Sequence, residues 1–318
     1  MKQESFASLT YRAKKRTTRR ERFLAQMQAC VPWTAFEAII APHYPTSGRR
    51  GGQPIGLQVM LRIYLMQQWF SLSDPMMEDS LYEIESMRRF AGLELGEDRL
   101  PDETTILNFR HLLEEHQLTD ALFESVNEHL KARGLQLSKG TMVDATLVAA
   151  PPSTKNAAGA RDPEMHQTRK GNQWHFGMKI HVGADVNCGS AHTVTVTAAN
   201  EADITELPNL LREQDEVIFG DAGYASDRYK RGARHLGLHW KVNDKRKPGS
   251  RGNLSAAQRK RNRKQSRIRA RVEHLFRIIK CQFGYRKVRY RGLEKNRVQV
   301  MSLMAMANLY LQRRALGA

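Results

Sequence analysis

Three cysteines in 318 residues, Cys30, Cys188 and Cys281, are too few and too irregularly spaced for a disulfide framework or a zinc site. Their odd number and lack of pairing fit a reducing cytosol, and no structural metal is expected. Long apolar runs are missing too. A membrane-spanning helix needs about 18 or more consecutive apolar residues. The best candidate, residues 57–72, is interrupted by Gln58, Arg62, Gln67 and Gln68. The first twelve residues are polar and basic, with no apolar stretch, so no secretory leader is expected. His166, His175, His181, His192 and His274 follow no zinc-binding spacing, and no serine sits in a nucleophile elbow. Zinc chemistry and serine-triad hydrolysis are thereby disfavoured.

Acidic residues are also scarce: 33 against 51 Lys and Arg, for a net charge of +18 and a pI near 10.1. A small domain needs a net charge of only about 2 to 8 for solubility. The excess points to a polyanionic partner, nucleic acid before membrane surface. It is unevenly spread. Residues 241–297 hold 21 of the 51 cations against three acids, Asp244, Glu273 and Glu294. A second cluster, which includes Arg19 and Arg20, lies in residues 12–22. At 41% hydrophobic the chain can nevertheless bury a core.

Periodicity divides the chain at Gly140. Residues 1–22 read as a flexible basic arm, and residues 23–136 as an all-helical region for DNA binding or dimerisation. There, helices are predicted over residues 55–72, 75–91, 102–116 and 119–133. Asp74 and Asp102 are the candidate caps, and Pro75 suits a first helical position. After Gly140 period-2 runs appear, as in Trp174-His175-Phe176-Gly177-Met178-Lys179-Ile180-His181-Val182. Strands are predicted near Asp144, over residues 174–182 and 192–199, over 217–221 and over 238–242. Helices are predicted over 204–213, 226–236, 256–281 and 296–314. The order β-β-β-α-β-α-β-α describes a mixed five-stranded sheet flanked by helices, an α+β or α/β arrangement. Residues 151–173 form a long loop, in which Asp162 and Glu164 are explained by local turn structure, and residues 243–256 form a basic loop.

Three acids stand out. Asp144 lies in the apolar run Met142-Val143-Asp144-Ala145-Thr146-Leu147, where a carboxylate is costly unless paired or metal-bound. Asp221 closes Val217-Ile218-Phe219-Gly220-Asp221, at the strand end where open α/β sheets bind ligands, though it could equally cap the next turn. Glu273 sits in a basic helix. At about 100° per residue, Arg269, Glu273, Arg277 and Lys280 fall along one edge of it. Alone, that edge reads as a salt-bridge ladder. With two aspartates on strands, it reads as a ligand among phosphate-binding cations. Three carboxylates about 4 Å apart would repel by roughly 4 kcal/mol per pair. Divalent cations relieve such strain, and Mg2+ suits an all-carboxylate site, with Mn2+ a plausible substitute.

These residues resemble the D-D-E transposases of bacterial insertion sequences, most nearly the InsH-type group of insertion sequence five. The resemblance rests on Arg161-Asp162-Pro163-Glu164-Met165-His166-Gln167, Lys170-Gly171-Asn172-Gln173-Trp174-His175-Phe176-Gly177-Met178-Lys179, Asp221-Ala222-Gly223-Tyr224, Ile268-Arg269-Ala270-Arg271-Val272-Glu273-His274 and Gln282-Phe283-Gly284-Tyr285, together with residues 107–113 in the helical region. It implies a ribonuclease H-like catalytic domain over residues 137–295, with a C-terminal helix, 296–318, packed on it. It implies Asp144, Asp221 and Glu273 as catalytic metal ligands for two Mg2+ ions. Arg269, Arg271, Arg277, Lys280, Lys170, Lys179, Arg19 and Arg20 are the DNA-binding candidates. In the wider signature Tyr-x2-Arg-x3-Glu-x6-Lys, Arg269, Glu273 and Lys280 match, while Ser266 stands at the tyrosine position, so that tyrosine's DNA contact is not carried over. The implied partners are double-stranded DNA, as terminal inverted repeats and target, and at least a second copy of the chain. The implied location is the bacterial cytoplasm, at the nucleoid. Two other functions fit the same residues: a nuclease that cuts without joining, and a DNA-binding regulator with a silent site.

Overall fold

Capping residues set where the first helices begin. In the computed structural model, which describes residues 11, 13–46, 53–136, 138–157, 159–246 and 254–317, helix α1 spans Arg19–Cys30. Thr18 accepts a hydrogen bond from Glu21 N, and Glu21 accepts one from Thr18 N at 2.7 Å. This reciprocal capping box starts the helix inside the stretch read as a flexible arm, so the arm reading fails from Arg19 onward. Residues 1–10 and 12 of that arm lie outside the described residues. Six more helices follow: α2 (Trp33–Ile40), α3 (Leu57–Phe70), α4 (Asp74–Glu83), α5 (Glu85–Ala91), α6 (Glu103–Glu115) and α7 (Leu118–Ala132). Asp102 caps α6 by accepting from Thr105 N at 2.7 Å. At α4 the cap is Ser73 rather than Asp74. The single helix predicted over residues 75–91 is two, because Ile84 is extended. Arg88 donates to the freed carbonyls of Leu81 and Tyr82 at 2.9 Å each, which satisfies the break.

The sheet has six strands: β1 (Gly140–Ala149), β2 (His166–Lys170), β3 (Gln173–Asp185), β4 (Ala191–Ala198), β5 (Val217–Gly220) and β6 (His239–Val242). Its order is β4-β3-β1-β5-β6, with β5 and β6 parallel to β1 and β3 antiparallel to it. The extra strand, β2, lies in the stretch read as loop. It pairs with Gln173–Gly177, beyond the end of the β3–β4 ladder. Its sequence, His-Gln-Thr-Arg-Lys, lacks the apolar alternation by which a half-buried strand is recognised. Gly177 marks the place where this ribbon leaves the sheet: a Cβ there would stand 2.1 Å from Val148 O.

Alternation along β1 feeds two cores. Val143 enters a small core with Leu207, Leu210, Ile218, Tyr224 and Val242. Met142 and Val148 enter the large core, which is continuous with the N-terminal helices. The small core is covered by a short helix, α8 (Leu207–Leu210), and by α9 (Asp227–His235). Helix α8 is shorter than predicted because Leu211 is extended and Arg212 N turns to donate to Asp215. The predicted long helix over residues 256–281 is broken. Helix α10 (Ala256–Arg269) buries none of its side chains, and α11 (Val272–Arg277) buries Val272, Leu275 and Phe276. A π turn over Ile278–Gln282 follows. The break lets the polar half run in solvent while the apolar half turns onto the sheet. Residues 247–253 of the predicted basic loop lie outside the described residues.

The last helix, α12 (Leu293–Gln312), packs on the sheet but equally on the N-terminal helices, so it is no appendage of one domain. Ser302 meets Tyr64 Oη at 2.8 Å and Gln299 donates to Gln68 at 3.1 Å. Asn308 bonds both N and O of Ala191 on β4 and reaches Asn127 on α7 at 3.2 Å. Asp162 and Glu164 are not merely local turn residues. They accept from Gly292 N at 2.7 Å and Leu293 N at 2.6 Å, capping α12 from far back in the chain. No helix among the described residues is long and apolar enough to cross a membrane.

Candidate active site

Asp144 is carried mid-strand on β1, on the face directed toward α11, and its side chain is 15% exposed. Its Oδ1 accepts from Ala145 N at 2.9 Å, and its Oδ2 accepts from the Arg269 guanidinium. Burial pushes the carboxyl up to about 6. Arg269 opposes that rise, while the charges on Asp221 and Glu273 add to it.

Asp221 follows β5 directly. Its Oδ1 accepts from Gly223 N at 2.8 Å and so caps the next turn, as a turn-forming aspartate does. A Cβ at Gly223 would stand 2.9 Å from that oxygen, so a side chain there would shift the carboxylate. No described residue donates to Asp221 Oδ2. Tyr224, next in the motif, is fully buried in the small core and anchors the turn from below. Glu273 lies in the first turn of α11 with its side chain 61% exposed, and its Oε1 accepts from Arg269 at 3.3 Å. Arg269 thus bridges an acid on the sheet and an acid on a helix. Among the described residues no three His, Cys, Asp or Glu side chains are drawn tightly enough together to hold a metal as they stand. The donor chemistry nonetheless fits hard divalent cations: carboxylate oxygens with no soft ligand, one of them held protonated to unusually high pH by burial and like charge.

The DNA-binding candidates part company. Lys280, brought round by the π turn, donates to Leu147 O at 2.6 Å at the end of β1. Burial lowers its pKa, and the nearby Lys170 and Arg286 lower it further. These three cations and His175 line a cavity of about 300 Å³ against Thr146–Ala149, the continuation of the strand that bears Asp144. Lys170 thus lies beside Lys280, in a cavity whose lining includes none of the three acids. Arg286 and His175 were not singled out from the sequence, and no spacing rule points to them. Lys179 is not at the site. It pairs across from Leu147, on the face opposite Asp144, and is ion-paired to Asp203 at 2.9 Å. Arg271 donates to Val186 O and Asn187 O at 2.7 and 3.1 Å and pins the β3–β4 turn. Arg277 is exposed on α11. Arg19 and Arg20 are exposed in the first turn of α1, Arg20 lying over the Phe70 ring. Ser266, at the signature's tyrosine position, accepts from Asn243 at 2.9 Å.

The chain is thus a helical region followed by a mixed sheet flanked by helices, with acids on β1, after β5 and on a late helix. The chain matches the family described as "Transposase DDE domain" over residues 136–309, and the family described as "Transposase domain (DUF772)" over residues 11–112. It belongs to the DDE transposase family, as an insertion-sequence transposase whose substrate is DNA.

Proposed function

We propose that this chain cuts the ends of an insertion sequence and joins them to target DNA, using Asp144, Asp221 and Glu273 as its acidic triad. The sheet order β4-β3-β1-β5-β6 supports a ribonuclease H-like reading, and the InsH-type group is the subgroup proposed. The observation that carries the assignment is convergence: the Arg269 guanidinium bonds both Asp144 and Glu273, and β1, which bears Asp144, pairs with β5, the strand that Asp221 follows. The three carboxylates would hold two Mg2+ ions, with Mn2+ a substitute. Bound there, such ions supply an activated hydroxyl nucleophile and neutralise the leaving oxygen. Arg269 pairs with both Asp144 and Glu273 in this structure, and would be placed to meet the scissile phosphate if metal ions took over those carboxylates. Lys280 is held beside β1 by Leu147 O and stabilises charge at the neighbouring phosphate. Joining two ends needs two such sites, so a dimer or larger assembly on DNA is part of the proposal.

The test uses linear DNA that carries the sequences flanking the coding region, and the same DNA with its end already cleaved. With Mg2+ present, the intact substrate should be cut at the element boundary and the cleaved one joined to a plasmid. Cutting without joining would reduce the protein to a nuclease. Neither reaction with Mg2+ or Mn2+ would leave only a DNA-binding role.

A further inference from the structure

The sheet order places Asp144 on β1 and Asp221 after β5, in the middle of the sheet, and a cationic cleft lies on either side of them. The first is the cavity between β1 and the β2–β3 ribbon, lined by Lys170, His175, Lys280 and Arg286 with no carboxylate. The second, about 540 Å³, lies among the end of β6, the start of α9 and α10, and is lined by Lys230, Lys241, Lys245 and Arg261. Two cationic clefts beside one set of acids are more than a single cleavage requires. They match a reaction that brings two DNA molecules together.

The clefts differ in what else they present. Beyond the sheet the ribbon has no strand partner but itself, and from Gln167 to Trp174 all its residues but Thr168 are exposed. It carries Gln167, Arg169, Asn172 and Gln173, amide and guanidinium groups of the kind that read base edges; Arg169 donates to Gly171 O at 3.1 Å and to Asn172 Oδ1 at 3.4 Å, while Gln167 and Gln173 are exposed. It also carries Trp174, 67% exposed, a large apolar surface with no core to enter. No acid occurs from His166 to Ala184. A two-stranded ribbon fits the major groove. The second cleft presents fewer open readers: its amides, Asn243, Gln258 and Gln265, are all half-buried, and its guanidiniums are those of Arg246 and Arg261. The Asn243 amide nitrogen is committed to Ser266, and the Gln258 amide oxygen to the α10 cap. Of its two acids, Asp244 is paired with Arg261 at 2.9 Å and Asp227 opens α9, while Lys230, Lys241 and Lys245 are exposed. Ammonium groups hold phosphates without reading sequence.

We infer that the two clefts divide the two DNAs: the ribbon cleft reads the element end, and the β6–α9–α10 cleft holds target DNA. The element end is one fixed sequence, and the target changes from one insertion to the next, so the reader belongs to the first and the sequence-neutral cations to the second. This division rests on the transposase reading above.

The full-length protein is assayed for two separate steps, cleavage of the flanking-sequence DNA and joining of the pre-cleaved end to a supercoiled plasmid. Lys230→Ala with Lys241→Ala should lower joining about tenfold and change cleavage by less than about twofold, since only phosphate contacts to the target are lost. Arg169→Ala with Gln173→Ala should lower cleavage about tenfold or more, and should narrow the preference for element-end DNA over unrelated duplex in a binding titration. All four side chains are exposed, so these variants keep the fold, which a thermal melt verifies. Equal loss of cleavage and joining in the Lys230/Lys241 variant overturns the division. So does undiminished element-end preference in the ribbon variant. A wild-type protein that cleaves and joins while either result holds overturns the division alone. A wild-type protein that does neither overturns the transposase reading as well.

Discussion

The two ends of the central strands hold the same kinds of side chain in opposite states. At the start of β1 and β5, Asp215 is wholly buried and fully satisfied: Arg212 grips Oδ1 at 2.9 Å and Thr141 Oγ1 donates to Oδ2 at 2.5 Å. Thr141 in turn accepts from His192 Nε2 at 2.9 Å, and burial drives that imidazole down to about 3, which keeps it neutral in the network. Nearby, Asp185 accepts from Ser138 N, Asn187 N and Cys188 N. Three residues along β1, Asp144 has one arginine, shares it with Glu273, and is raised by burial and by two other acids. A buried acid that is saturated by its own fold secures that fold. A buried acid left short of partners and crowded by like charge is prepared for an added cation.

That contrast can be broken most sharply at the triad. Asp144→Asn, Asp221→Asn and Glu273→Gln should each cost about a thousandfold or more in Mg2+-dependent cleavage, roughly 4 kcal/mol of barrier. DNA affinity, dominated by phosphate contacts, should stay within about tenfold by gel shift. A variant that cleaves at near wild-type rate removes that residue from the triad. The opposite end should respond in stability. Asp215→Ala leaves Arg212 buried and uncompensated, at about 3–5 kcal/mol by denaturant titration. A loss under about 1 kcal/mol would mean that this network secures little.

Asp144 should show the reverse sign. Its proton is held more tightly in the folded protein than in the unfolded chain, since its value is raised to about 6. The resulting cost is absent below about pH 4, grows as pH rises through 6, and is complete above it. In chelator at pH 8, Asp144→Asn should therefore stabilise the protein by up to about 3 kcal/mol, and by almost nothing at pH 4. Equal melting curves for the two proteins across that range would show that Arg269 already satisfies the acid. The smallest effect belongs to Lys280. Lys280→Ala should reduce the slope of log K against log salt by about 1 and slow cleavage. An unchanged slope would confine Lys280 to bracing β1 through Leu147 O.

The three acids were legible because each breaks a local pattern: a charge in an apolar strand, an acid at a strand end, a lone glutamate among cations. The Asp102 cap and the main strands were legible for the same reason, since their signals lie within a few residues, whereas the Thr18–Glu21 capping box was read as arm and Asp74 was taken for the cap that Ser73 provides. Lys170 and Lys179 were indistinguishable in sequence, both on the stretch that carries the family motif. Only pairing register sends Lys179 to the far face, toward Asp203, while the ribbon swings Lys170 over the end of β1.

Sequence by itself determined which side chains carry charge, where the helices are capped, which strands alternate and which three acids are out of place, because those properties are set by composition and by contacts between near neighbours. Tertiary structure alone decided that Asp162 and Glu164 cap a helix about 130 residues later, that α12 joins the helical region to the sheet, and that Arg269 stands between Asp144 and Glu273. Those pairings cross elements whose meeting depends on how the sheet twists and how the apolar faces fill one core. No spacing along the chain encodes that directly.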